Sequence, residues 1–197
     1  MSTVRLLVLG VVRAHTEAHG YAVHRELMSW RVDTWTAIKP PSIYHAVKQL
    51  EREDKLRAVR SESSPRGPAR VVYRITASGD TEFFRLLQTA LVSPDIEEFG
   101  AGIALMRSLP KDRVRALLVE RLHTTETIDI DLDAMKPQWP DPNAPPHAQH
   151  LLDLWRGVFR SQSAWVRELL DRLDDFVFDD SGQPDGPGQL GRSPGIR

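Results

Sequence analysis

The chain has 197 residues, no cysteine, 41% hydrophobic residues and a net charge of −1; it is long enough to bury a core without covalent or metal staples. Without cysteine it has no thiol catalysis, disulfide or Cys-ligated zinc, and that composition suits a reducing, cytoplasmic address. The near-zero charge conceals a split, since residues 1–91 carry 14 Lys+Arg against 9 Asp+Glu and residues 92–197 carry 12 against 18, so a polyanionic partner is expected at the front half alone.

"MSTVRLLVLGVVRAH" holds an apolar run from Leu6 to Val12 that is too short to span a bilayer and lacks a small-residue cleavage site. It predicts a helix from Thr3 to Ala14 buried on most sides, and no membrane association. After Gly20, "YAVHRELMSW" predicts a second helix, with Val23, Leu27 and Trp30 on one stripe and Tyr21, His24 and Arg25 off it. Residues 31–39 read as a polar turn.

In "KPPSIYHAVKQLERED", Pro41 suits the first helical position, where its missing N–H leaves no bond unmade. Ile43, Val47 and Leu50 follow at helical spacing and face the core. Ser42, His45, Lys48, Gln49 and Arg52 take the other side, with Tyr44 at the margin and the end of the helix near Asp54. The period then changes from 3.6 to 2. "LRAVRSE" and "ARVVYRIT" predict two strands joined by "SSPRGP", with Val71, Tyr73 and Ile75 on one face and Val72 and Arg74 on the other. Thr76 and Ser78 are cap candidates for a helix carrying Phe83, Leu86, Leu87, Ala90 and Leu91.

The back half is helical. "EFGAGIALMRSL" predicts a short apolar helix, and Pro110 opens a long one through Val114, Leu117, Leu118, Leu122, Ile128 and Leu132. A Pro-rich break, "KPQWPDPNAPP", precedes a last helix from His147 to about Phe176. Its wide stripe, including Leu151, Leu154, Trp155, Phe159, Trp165 and Val166, needs a partner. The tail from Asp179 is rich in Gly, Pro and Ser and is expected to be disordered.

Three helices, a basic hairpin and a further helix make the order of a winged helix-turn-helix, in which the third helix enters the major groove and the wing lies alongside. "GYAVHRELMSW", "PPSIYHAVKQLERED" and "RGPARVVYRITASGDTEFFRLL" resemble, in sequence, order and spacing, three signature blocks of the PadR family of transcriptional regulators over roughly residues 3–91. The segment "LPKDRVRALLVERL" and the final helix look like the larger PadR subfamily, whose C-terminal helices form a homodimer. Two departures stand out: Pro41 where the family often has Gly, and Asp54 near a usual Gly, a turn for which Asp tolerates the left-handed conformation.

The expected fold is therefore mainly α with a small β-hairpin: a winged helix-turn-helix domain at 1–92, an all-helical dimerisation domain at 93–178 and a tail at 179–197. The resemblance implies a DNA-binding transcriptional regulator, a homodimeric repressor on an inverted-repeat operator that a small planar hydrophobic effector releases. It implies DNA contacts from Ser42, Tyr44, His45 and Lys48 on the third helix, Tyr21 on the backbone, and Arg66 and Arg70 in the wing. Trp155, Phe159 and Trp165 on the last helix are the candidate ligand-binding rings, bordering a cavity between subunits. The alternative reading is a winged helix that serves only as a protein-interaction module.

Enzyme motifs are incomplete. Tyr44 and Lys48 have the Y-x-x-x-K spacing of short-chain dehydrogenases, but the only "GAG", Gly100 to Gly102, lacks a third glycine and a preceding strand. Ser108 and Lys111 stand alone with Pro110 between them. His15, His19 and His24 near Glu17, and His147 with His150, have no third ligand at metal spacing. No catalytic residue, metal or cofactor is expected.

Overall fold

A computed structural model describes residues 3–64, 67–135, 145 and 147–178. Helix α1 (Thr3–His15) is buried continuously from Leu6 to Ala14 and packs against four other helices, which explains why its apolar positions are dense rather than striped. Gly10 is needed for one of these contacts, because a Cβ there would lie 2.7 Å from the methyls of Leu105.

Helix α2 (Gly20–Ser29) buries Val23 and Leu27. The expected polar turn after it instead contains a one-turn helix, α3 (Val32–Trp35). Arg31 adopts φ 56° and turns the chain so that Val32 is fully buried, with Ile38 8% exposed and Trp35 packed on the core. Two aliphatic anchors six residues apart have no helical period, so pattern reading passed over them.

Helix α4 (Pro40–Arg52) begins one residue before the expected start, with both prolines in the first turn, where backbone N–H groups have no intrahelical partner. Ile43, Val47 and Leu50 are buried as expected. At its end, Asp54 takes φ 53°, its N–H reaches Glu51 O at 3.1 Å, and Lys55 N–H reaches Leu50 O at 2.8 Å. This is a Schellman termination with aspartate in the position glycine usually holds.

The sheet has three strands, not two. β1 (Ala18–His19), β2 (Leu56–Ser64) and β3 (Gly67–Ile75) are antiparallel in the order β1-β3-β2, with Ala18 opposite Tyr73 and His19 opposite Val72. β3 is thus the central strand, and Val72 and Tyr73, expected on opposite faces, are both 3% exposed. A register shift between Ala58 and Arg60 interrupts the β2–β3 pairing. A two-residue strand leaves no alternation to read.

Thr76 Oγ1 accepts from Gly79 N–H at 3.0 Å and caps α5 (Ala77–Val92) as expected. Helix α6 (Ile96–Leu105) passes through a 3-10 turn into α7 (Lys111–Ala134), and α8 (Ala148–Asp171) packs along α7. One hydrophobic core joins α1 to Val114, Leu118, Val166 and Leu169 of the back half. The tail at 179–197 lies outside the described residues. Among the described residues, no helix is long and apolar enough to cross a membrane.

Candidate nucleic-acid interface

With Ile43, Val47 and Leu50 turned inward, the first two turns of α4 present their polar side chains outward. Ser42 is engaged locally: its hydroxyl donates to Lys39 O at 2.6 Å and accepts from Lys39 N–H at 3.3 Å, closing the entrance of the helix. Tyr44 is 42% exposed and its ring lies 5.8 Å from His24, stacked at 28°. His45 is exposed and has no hydrogen-bond or ionic partner among the described residues.

Lys48 is exposed along its stem, but its ammonium has partners: Nζ donates to Tyr73 Oη at 2.8 Å and to Glu51 Oε2 at 3.1 Å. The bonds to Tyr73 and Glu51 hold its pKa above the ordinary lysine value. The residue therefore ties α4 to the central strand, a role that spacing alone does not show because Tyr73 is 25 residues away.

Tyr21 opens α2 and is 52% exposed. His19 stacks on its ring at 6.2 Å, and the Arg70 guanidinium lies 5.7 Å from its centroid. Arg70, Tyr21, His24 and Tyr44 thus form a continuous line of ring contacts from the wing strand to α4. Arg66 lies outside the described residues. The base of the wing is held by Glu17, which accepts from both Arg60 and Arg74. These two hydrogen bonds, from Arg60 first and then Arg74, keep the Glu17 carboxyl below its ordinary range. Sequence reading placed Glu17 in a histidine cluster and missed its partners, since they sit on the two strands it had yet to join.

The dehydrogenase spacing is not realised: Tyr44 stacks on His24 while Lys48 bonds Tyr73. The histidines near the front also have separate engagements. His15 faces Glu26 at 3.8 Å, His19 Nδ1 accepts from Ala22 N–H, and His24 lies between two tyrosines.

The three rings proposed from α8 occupy two places. Trp155 and Phe159 lie 6.3 Å apart, whereas Trp165 meets Phe99 of α6 edge-on at 5.9 Å. Trp165, with Ile96, Phe99, Gly100, Ile103 and Gln162, lines an open apolar groove of about 340 Å³ between α6 and α8. Behind Phe99 the Arg121 guanidinium sits 3.7 Å from the ring centroid, fully buried, donating to Ser93 O and to Gln162 Oε1. Burial pushes its pKa down to about 10, which leaves it charged at neutral pH. The same helix α6 touches the approach to α4: Glu97 Oε2 accepts from Ala37 N–H at 3.1 Å, and Trp35 lies against Gly100.

Residues 8–85 match the model of the Transcriptional regulator PadR-like family. No curated protein matches the chain. Among solved structures, Bacillus subtilis PadR in complex with operator DNA is similar at 20% identity over 88% of this chain and 100% of that one, with a TM-score of 0.38. The same protein in complex with p-coumaric acid is similar at 20% identity over 88% and 99%, TM-score 0.36. The protein smu.1604c from Streptococcus mutans UA159 is similar at 20% over 85% and 98%, TM-score 0.39.

Proposed function

Taking as premise that the chain belongs, through residues 8–85, to the PadR-like family of transcriptional regulators, we propose that it is a homodimeric repressor that binds double-stranded DNA at an inverted-repeat operator. One observation carries this reading. Arg70, Tyr21 and Tyr44 are exposed and linked through His24 by ring contacts, and the exposed His45 follows Tyr44 on α4, while Ile43, Val47 and Leu50 on the opposite face are buried. Such a surface offers a helix to the major groove, and aromatic hydroxyls and a guanidinium to the phosphates beside it.

The dimer rests on α8, where Leu151, Leu154 and Trp155 are 52, 61 and 48% exposed in one subunit. A second copy would cover them and set two α4 helices about one DNA turn apart. A small planar hydrophobic effector is the proposed signal. Trp165 would meet it in the α6–α8 groove, whereas Trp155 and Phe159 would meet it only where the partner subunit completes a cavity. It releases DNA to the extent that it binds the DNA-free arrangement better.

The test is selection of bound fragments from random duplex DNA. An inverted-repeat motif is expected, with affinity falling steeply with salt. Arg70→Ala should weaken all sequences about equally, and His45→Ala should relax the motif. Failure to enrich any sequence, with a salt-independent residual affinity, would overturn the reading in favour of a protein-interaction module. In sedimentation, Leu154→Glu should convert a dimer to a folded monomer.

A further inference from the structure

His24 is the residue on this surface whose chemistry the proposed function leaves unused. Both of its ring nitrogens are buried and neither has a hydrogen-bond partner. Its ring is flanked by Tyr21 at 6.4 Å and by Tyr44 at 5.8 Å. A phenylalanine would fill that space without an unpaired N–H, so packing alone gives histidine no advantage here.

Among the described residues, no hydrogen-bond acceptor or ion-pair partner meets His24. On its own helix, Tyr21 meets it tilted by 45° and Glu26 is engaged by His15 of α1. From α4 it meets the ring of Tyr44, and His45 beside that ring is exposed. From β1, His19 has its Nδ1 on Ala22 N–H; from β3, Arg70 lies over the Tyr21 ring; on α3, Asp33 is exposed. The neutral imidazole leaves one N–H unpaired in this sandwich. Protonation adds a second N–H and a full charge at the same place; the tyrosine faces attract that charge, but among the described residues no acceptor takes either N–H.

We propose that His24 is a positioning residue for the two DNA-facing tyrosines, that it performs this role only in its neutral form, and that its protonation opens the Tyr21–His24–Tyr44 stack and weakens DNA binding. This rests on the reading of the surface as a DNA interface. The sign is opposite to that of the exposed histidines, His45 among them, which strengthen binding to phosphates when they gain charge. Wild-type protein therefore combines the two effects, and only comparison with a variant separates them.

The experiment uses the full chain and a labelled duplex recovered from the fragment selection, titrated at constant salt from pH 8 to pH 5.5. His24→Phe keeps a flat ring that does not titrate, and His24→Arg carries a permanent charge; thermal melts establish that each is folded. The ratio of His24→Phe affinity to wild-type affinity should rise on acidification. His24→Arg should bind weakly even at pH 8. If His24→Arg is unfolded, the Phe comparison alone decides. Parallel pH profiles for wild type and His24→Phe would overturn the proposal. A DNA-free measurement separates this failure from failure of the DNA reading itself: proton NMR contacts between the His24 and Tyr44 rings should be present at pH 8 and lost once His24 is protonated. Their persistence on the protonated ring would also overturn it, whether or not the protein binds DNA.

Discussion

The two halves of the molecule share an apolar core but differ in how much charge they bury beside it. In the front, α1, α2, α4 and α5 bury Leu, Val, Ile and Phe and, apart from Arg13 paired with Asp80, leave charge at least partly exposed, so helical period reports most of the core directly. In the back, α7 and α8 meet across a polar seam. Arg121 and Thr125 are fully buried, Ser163 and Arg156 nearly so, and Thr125 and Ser163 share a hydrogen bond of 2.8 Å. Arg156 pairs with Asp129 and Asp133, Arg160 with Asp129 and Arg167 with Glu126. Meanwhile Leu151, Leu154 and Trp155 face outward. The α7–α8 pair thus adds buried charge to the apolar residues Val114, Leu118, Val166 and Leu169 that it contributes to the shared core, and leaves an apolar stripe outside.

The strongest way to break this contrast is in the front, at Gly79. A Cβ there would lie 2.0 Å from the carbonyl oxygen of Lys55, and that backbone is fixed because Lys55 O also accepts from Thr76 N–H at 3.1 Å. Gly79→Ala must push α5 away from the end of α4, and should destabilise by about 3 kcal/mol or more, the upper range of overpacking. Chemical denaturation gives the value; a loss below about 1 kcal/mol would show that the front half yields more easily than its packing implies.

In the back, the test is the seam. Burial pushes the Asp129 carboxyl up, but hydrogen bonds from Arg160 and Arg156 outweigh it and leave the group below its ordinary range. Its contribution is thus present above the unfolded value near pH 4 and is lost as pH falls through the lower folded value. Asp129→Asn should cost about 1–3 kcal/mol at pH 7, less than a fully buried pair because Asp133 and Arg160 are open to water. The deficit against wild type should shrink below about pH 4. A deficit that stays constant with pH would assign the loss to shape rather than charge.

The same contrast explains what could be read from the sequence. Ile43, Val47 and Leu50 on α4, and Thr76 as a cap, follow from spacing and local chemistry, and the structure has them in place. Val32 and β1 escaped because one anchored turn and two paired residues have no period. Lys48 was legible as a polar residue on α4, but its bonds to Tyr73 and Glu51 depend on how strand and helix are brought together. The seam escaped for a stronger reason. Arg121 and Arg156 look like solvent positions to any rule that equates burial with hydrophobicity, and only residues brought together by the fold, Ser93 O and Gln162 for Arg121 and Asp129 and Asp133 for Arg156, supply the acceptors that allow their burial. The stripe of α8 was legible as apolar, but spacing did not show that it divides: Val166 and Leu169 enter the core, whereas Leu151, Leu154 and Trp155 stay outward.

The smallest effect belongs to Asp54, where local rules alone decide the outcome. The residue holds φ 53° in the Schellman turn that ends α4, a conformation in which a Cβ is disfavoured by about 1–2 kcal/mol. Asp54→Gly removes that strain and keeps the backbone bonds, including those Asp54 O accepts from Thr76 and Ser78 hydroxyls. Two terms oppose the gain. Glycine adds freedom to the unfolded chain, and the 3.7 Å pair with Arg57 is lost, but both partners are about 70% exposed and such a pair contributes little. The net should be about 0.5 kcal/mol of added stability, a rise in Tm of roughly 1–2 °C for a chain of this size. DNA affinity should be unchanged, since the exposed Tyr44 and His45 lie at the other end of α4 and the Lys48–Tyr73 bond is independent of the turn. A fall in Tm would mean that the Asp54 side chain holds the start of β2 through Arg57, and that the front half, too, relies on charge where its sequence suggests only a turn.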